Sequence, residues 1–344
     1  MTTPPPVQEA LKSIPRVSLL DRPTPLRRLH RIEAVLGTGH GVGIYVKRDD
    51  NGELAGGGNK LRKLEFLLGD ALSQHAKSIL TVGGLQSNHA RLTAAACVRL
   101  GLHCELFLGR AVARFDHDYE QSGNILLDKL LGARLHMLPA GTDPFAAALE
   151  RARQLEADGS RAYVIPSGGS TPLGSLGYVE CAIEIASQER DLALQFDAIY
   201  VPNGSSGTHA GLAAGFHALG RSNTLVRSFS VLAERDTTMR RTHELAEGAL
   251  HLLGLPASMP FESVDVDGSQ RGAAYGAATD SMKAAVHLVA AEEALFLDPV
   301  YSGKAFAGML ADIANGRYRR GQNVLFVMTG GTPGLYAYRS EFIS

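Results

Sequence analysis

An α/β protein with mostly parallel sheets, helices covering both faces, is the fold this sequence predicts. Short β-branched runs alternate with amphipathic windows along the chain, the order that parallel sheets require. The strand-like runs, such as NVLFVM at 323–328, are apolar, as in sheets buried on both sides. The length of 344 residues accommodates about two domains at roughly 150 residues each.

Element by element, GIYVK at 43–47 reads as a strand. Residues 59–75 follow as a helix, with Leu61, Leu64, Leu67, Leu68, Ala71 and Leu72 at helical spacing. Then come strand 78–82, helix 87–100 with Ser87 as its N-cap, strand 104–108, helix 119–131 and strand 134–138. Helix 144–157 and strand 162–165 lead into the glycine-rich break PSGGSTPLG. The second half repeats the pattern: helix 176–189, strand 198–201, helix 207–219, strand 226–232, helices 234–253, 281–293 and 304–313, and strand 323–328. Pro4–Pro6 reads as a frayed terminus.

Composition narrows the function. Lys and Arg total 34 against 35 Asp and Glu. This lacks the basic surplus of a nucleic-acid binder or a polybasic membrane anchor. No signal peptide or membrane-spanning stretch is visible, so a cytoplasmic protein is expected. Three unpatterned cysteines, Cys97, Cys104 and Cys181, suggest neither a disulfide framework nor zinc. No His, Asp or Glu grouping has metal spacing. The 38 glycines exceed the usual ~7%, and they cluster where strands end.

In parallel sheets, ligands sit beyond the carboxyl ends of strands, at helix N-termini. Four such loops stand out: GGGNKLRK at 56–63, GGLQSNHAR at 83–91, NGSSGTHAG at 203–211 and TGGTP at 329–333. In the third, Gly204, Ser205, Ser206, Gly207 and Thr208 can converge backbone N–H groups and hydroxyls on a phosphate. It is neither a P-loop nor a Gly-x-Gly-x-x-Gly fingerprint. Lys60 sits at the positive end of a helix, where its pKa would fall, as a Schiff-base amine needs. Arg62 and Lys63 add like charge there unless an anion is nearby. Helix-start N–H groups near Ser87, Asn88 and His89 could hold a carboxylate. Tyr301 could stack on a ring, and Thr329 could face a ligand. Tyr275 lies in a Gly/Ala loop of the kind that closes over sites. Taken singly, each segment also fits an ordinary turn, cap or core residue.

Together, RPTPL (22–26), VKRDD (46–50), GGNKLRKLEF (57–66), GGLQSNHAR, SSGTHAG (205–211), LDPVYSGKAFAGM (297–309) and TGG (329–331) resemble one family over nearly the whole chain. It is the 1-aminocyclopropane-1-carboxylate (ACC) deaminase and D-cysteine desulfhydrase family, pyridoxal-phosphate enzymes of the tryptophan-synthase-β fold type. The resemblance implies two three-layer αβα domains with the cofactor in the cleft between them. Residues 1–63 plus 172–344 would form the larger, and 64–171 the smaller. It implies that Lys60 bonds the cofactor and later moves the substrate's α-proton. Lys63 and the Gly204–Thr208 turn would hold the phosphate, and Asn88 the ring hydroxyl. Ser87, Asn88 and His89 would hold the substrate carboxylate. Tyr301 would lie beside the ring, with Tyr275 as a second active-site tyrosine. Ser302 and Thr329 would stand near the ring nitrogen.

The last two positions sort within the family. ACC deaminases resemble DPVYEGK, with glutamate at position 302 and leucine at 329. The neutral hydroxyls here resemble the desulfhydrase branch. A carboxylate at the ring nitrogen deepens the electron sink that cyclopropane opening needs; β-elimination of a good leaving group needs less. The expected reaction is α,β-elimination of D-cysteine to pyruvate, ammonia and sulfide. L-cysteate sulfo-lyase activity is the alternative, with ACC deamination behind it. A small amino-acid substrate and a homodimer are implied. A dinucleotide-binding enzyme and a silent cofactor-binding regulator are the readings from other classes.

Overall fold

The computed structural model describes residues 6–37, 41–221 and 224–343. Pro4 and Pro5, expected to fray, lie outside the described residues, and Pro6 opens a short helix to Lys12.

Two sheets organise the chain. In the six-stranded sheet the order is β1 (Leu26–Arg28), β2 (Gly43–Lys47), β10 (Asn323–Val327), β7 (Ala198–Asn203), β8 (Leu225–Ser230) and β9 (Asp265–Asp267). Only β1 runs antiparallel there. The four-stranded sheet, wholly parallel, has the order β5 (Arg134–Met137), β4 (His103–Gly109), β3 (Ser78–Gly84) and β6 (Ala162–Ile165). The mixed α/β class with parallel sheets is therefore as expected. The strand period of two sends Val324 and Phe326 into the core on one face of β10, and Leu325 and Val327 into the core on the other. Burying each such side chain contributes roughly 1.5–3 kcal/mol.

Three differences from the sequence reading have local causes. The expected helix 119–131 is two helices, His117–Gln121 and Gly123–Leu130. Gly123 breaks them at φ +61°, where a Cβ would meet Gln86 Oε1 at 2.5 Å. The expected helix 176–189 begins at Pro172, because Thr171 caps Gly174 N and Pro suits the first turn. The three-residue strands β1 and β9 are too short to carry a periodic pattern.

The helix Lys60–Ser73 is set by a buried charge cluster. Arg62 Nε and Nη2 donate to Asp49 Oδ2 and Oδ1 at 2.8 and 2.9 Å, and Tyr178 Oη donates to Asp49 Oδ2 at 2.6 Å. Burial alone would raise the Asp49 carboxyl, but the Arg62 charge and hydrogen bonds outweigh it and hold the pKa to about 2. Breaking such a pair costs about 3–5 kcal/mol. The expected crowding of Lys60 by Arg62 is thereby corrected. Two residues advance a helix by roughly 200°, so Arg62 turns away, whereas Lys63, three residues on, shares Lys60's face.

Candidate active site

The loops after β3, β6, β7 and β10 border one cavity of about 470 Å³. It is lined by Lys60, Lys63, Ser87, Asn88, His89, Gly204, Ser205, Ser206, Thr208, Tyr275, Tyr301 and Thr329. Of the residues singled out from sequence, Gly207 and Ser302 are absent from the lining.

Neither of the two lysines has a counter-ion beside it. Among the described residues no carboxylate oxygen lies within 4.0 Å of Lys60 Nζ or Lys63 Nζ. Lys60 Nζ donates to Asn59 Oδ1 at 3.0 Å, and Asn59 Nδ2 donates to Thr208 Oγ1 at 2.9 Å. Burial pulls the Lys60 pKa down to about 8; Asp298 opposes that, and the Arg91 charge adds to it. Lys63 Nζ donates to Ser170 Oγ at 3.0 Å and to Gly168 O at 3.3 Å. Burial first, then the Lys60 charge, holds its amine well below the ordinary lysine value.

The turn before the helix Gly207–Ala218 packs against Lys63. Ser206 takes φ +73°, a costly value for a residue with a Cβ. Gly207 N donates to Ser170 Oγ at 3.2 Å. Ser170 Oγ accepts from Lys63 and Gly207 and shares a hydrogen bond with Ser205 Oγ at 2.7 Å, in which either hydroxyl can donate. A Cβ on Gly207 would stand 2.8 Å from Ser170 Oγ and 2.9 Å from Lys63 Nζ, so this position works through its backbone.

Ser87 caps the helix Asn88–Leu100, accepting from Ala90 N at 3.1 Å. The first N–H groups of a helix have no intrahelical acceptor, and those of Asn88 and His89 open beside the cavity. The His89 side chain is engaged within the fold. Thr81 Oγ1 donates to Ile165 O at 2.8 Å, so it accepts from His89 Nε2 at 2.8 Å, and Nδ1 is an unpartnered acceptor. Burial, with Lys60 and Lys63 nearby, holds the ring neutral. Only the backbone N–H of His89 remains for a carboxylate.

Ser302 is also corrected. It is fully buried, donates to Asp298 Oδ1 at 2.6 Å and accepts from Asp298 N at 2.7 Å. Its hydroxyl proton is spent, while Thr329, in the lining, has its side chain engaged with no described residue. Asp298 also accepts from the backbone N–H of Val300, Tyr301 and Ser302, and so shapes the loop that presents Tyr301. The Tyr275 and Tyr301 hydroxyls hydrogen-bond to each other, and burial raises both pKa values, so both stay protonated near neutrality.

Asn59, Ser170 and Asp298 were not singled out from sequence. Ser170 lay in a glycine-rich break directly after a strand, a signal that could have found it. Asp298 lay in a quoted motif. Asn59 lay beside Lys60 without a pattern of its own.

Three comparisons bear on this site. A family model described as pyridoxal-phosphate dependent enzyme matches residues 17–330. A D-cysteine desulfhydrase of Serratia proteamaculans (strain 568) is 40% identical over 335 residues, 97% of this chain and 99% of the relative. One from Klebsiella pneumoniae subsp. pneumoniae is 42% identical, covering 95% of this chain and 97% of the relative. A solved structure described as an ACC deaminase homologue superposes with TM-score 0.87 at 35% identity, covering 99% of both chains.

Proposed function

Because this chain belongs to the pyridoxal-phosphate dependent enzyme family, we propose that it eliminates the β-substituent of a small amino acid, acting on D-cysteine to yield pyruvate, ammonia and sulfide. The observation that carries the reading is the pair of uncompensated lysines, Lys60 and Lys63, on one helix face and one cavity. Relatives named for this activity cover nearly the full length, which supports the substrate.

The residues fit the cofactor. A buried ammonium with only neutral acceptors calls for an anion, and Lys63 has the Ser205–Thr208 turn beside it. On this reading Lys63, Ser205, Ser206, Gly207 and Thr208 hold the phosphate. Lys60 would bond the cofactor through its amine, and Asn88, Thr329 and Tyr301 would hold its ring. When bound, the cofactor supplies an electron sink.

The chain's own groups do the rest. Ser87 and the N–H groups of Asn88 and His89 bind the substrate carboxylate. Lys60 Nζ, held at a pKa of about 8, takes the α-proton once free. The protonated Tyr301–Tyr275 pair stands ready to give a proton to the departing sulfur. The released enamine takes up water to become pyruvate and ammonia. The neutral Thr329 hydroxyl leaves the ring nitrogen without a carboxylate partner, which favours expulsion of a good leaving group over ring opening of ACC.

We extend the reading to a cytoplasmic homodimer, whose setting the three free thiols suit, and to domains 1–63 plus 172–344 and 64–171. Among the described residues no helix is long and apolar enough to cross a membrane.

The test is a ranked assay of D-cysteine, L-cysteate, D-serine, 3-chloro-D-alanine and ACC on yellow holoprotein. D-cysteine should be turned over best, with sulfide and pyruvate released in equal amounts. Preferred release of sulfite from L-cysteate, or of ammonia from ACC, overturns the assignment. A second check separates the two hydroxyls. Thr329→Val should lower kcat by roughly tenfold, the worth of about one hydrogen bond. Ser302→Ala should instead lower thermal stability, by roughly 1–3 kcal/mol, with kcat nearly kept.

A further inference from the structure

Arg91, one turn into the helix Asn88–Leu100, is fully buried and outside the cavity lining, and it bears on the chemistry above only through its charge near Lys60. Burial pulls its pKa down to about 10, opposed by the nearby Asp128 carboxylate, so it remains a cation at neutral pH. A guanidinium carries donors and no acceptor. Its Nη1 donates to Asn88 Oδ1 at 2.9 Å and to Asn124 Oδ1 at 2.5 Å, and its Nη2 donates to Gly57 O at 3.0 Å. Asn124 Nδ2 donates to the same Asn88 Oδ1 at 3.0 Å and to Gln86 O at 3.0 Å.

We propose that Arg91 and Asn124 are positioning residues that lock the Asn88 amide with its NH2 group, and never its oxygen, turned to the cavity. A cofactor ring hydroxyl there then meets only a donor. The proposal rests on the pyridoxal-phosphate reading of the site.

The physical basis is that the two ends of an amide exchange by a half-turn, and only the neighbours decide between them. Turning Asn88 over would set its NH2 group against two donors, Arg91 Nη1 and Asn124 Nδ2, and would cost each of them one of its two acceptors. Asn124 cannot turn in compensation. Its own oxygen is on Arg91, its NH2 group is on the Gln86 carbonyl, and its backbone N–H is on Gln86 Oε1 at 2.8 Å. Gln86 is tied in turn to Tyr119 O and Ser122 O at 2.6 and 3.0 Å. The lock therefore spans two helices, the β3 loop and the loop before Lys60. Asn124 is fully buried and outside the cavity lining, so its hold on the cavity face of Asn88 is direct and through Arg91. A donor at the ring oxygen favours the ionised form of that oxygen.

The test reads the holoprotein's visible absorption against pH in wild type, Asn88→Ala, Asn124→Ala and the double variant, with cofactor affinity measured by titrating the apoprotein. Both single variants should raise the pH midpoint of the visible band, by about one unit for Asn88→Ala. The double variant should match Asn88→Ala alone, because Asn124 has no other route to the ring. An Asn124→Ala midpoint equal to wild type, or a double shift equal to the sum of the singles, overturns the lock. Should Asn124→Ala fail to fold, Arg91→Lys carries the same reading, because it keeps the charge beside Lys60 but loses the fork. It should raise the midpoint in the Asn88 background and have no effect in Asn88→Ala; any other pattern overturns the proposal. A colourless wild type would sink the cofactor reading itself, a failure distinct from that of the lock.

Discussion

Lys60→Ala protein should lose at least about 10³-fold in D-cysteine turnover, release pyridoxal phosphate on dialysis, and show no visible band that borohydride bleaches. One nitrogen is asked both to hold the cofactor and to move the α-proton, and no second cavity amine can replace it. Lys63 Nζ is committed to Ser170 and Gly168. The depressed pKa has its own signature. Only the neutral amine attacks an aldehyde, so cofactor capture by apoprotein should speed up as pH rises and be half-maximal near pH 8. An ordinary lysine, at 10.5, would place that midpoint far higher. Stopped-flow mixing of apoprotein with cofactor across pH 6–11 reads it directly. A midpoint near 10, or a borohydride-bleached band surviving in Lys60→Ala, would remove the basis of the mechanism.

Lys63→Met should weaken cofactor binding by about 10²-fold, the loss of a buried charge-assisted contact to phosphate, yet leave the apoprotein at least as stable as wild type. The opposite signs follow from one fact. A buried amine without a counter-charge costs free energy until an anion arrives. The pH dependence has the matching sign. Lys63 has a folded pKa below its unfolded value of 10.5, so the unfolded chain binds more protons. Apoprotein stability should therefore rise with pH between the depressed folded value and 10.5. In Lys63→Met that slope should shrink. Apoprotein melts from pH 7 to 10, paired with cofactor titrations, check both. Apoprotein destabilised by Lys63→Met, or an unchanged cofactor affinity, would show that the amine serves the fold rather than the phosphate.

How far the residues could be read in advance depended on how local their signals were. The strands and helices around the site carried apolar periodicity, and Lys60, Lys63 and the Gly204–Thr208 turn each lay in a loop directly after a strand or at a helix start. Those signals reside in contiguous residues. The side-chain partners of Ser302 and His89 were not legible, for the opposite reason. Their side chains looked available in the motif, but Asp298 takes the Ser302 proton and Thr81 takes the His89 one. Asn124 carried no catalytic pattern, because its importance lies in a partner 36 residues away.

The amino-acid order alone determined the α/β alternation, the strand ends that border the cavity, and the lysine pair three residues apart on one helix face, since helical and strand periods are properties of neighbouring residues. Tertiary structure alone decided which protons were left to give. Hydrogen-bond donors and acceptors are used up pairwise in space, and no local pattern records whether Thr329 or Ser302 keeps a free hydroxyl, or which end of the Asn88 amide faces the cavity.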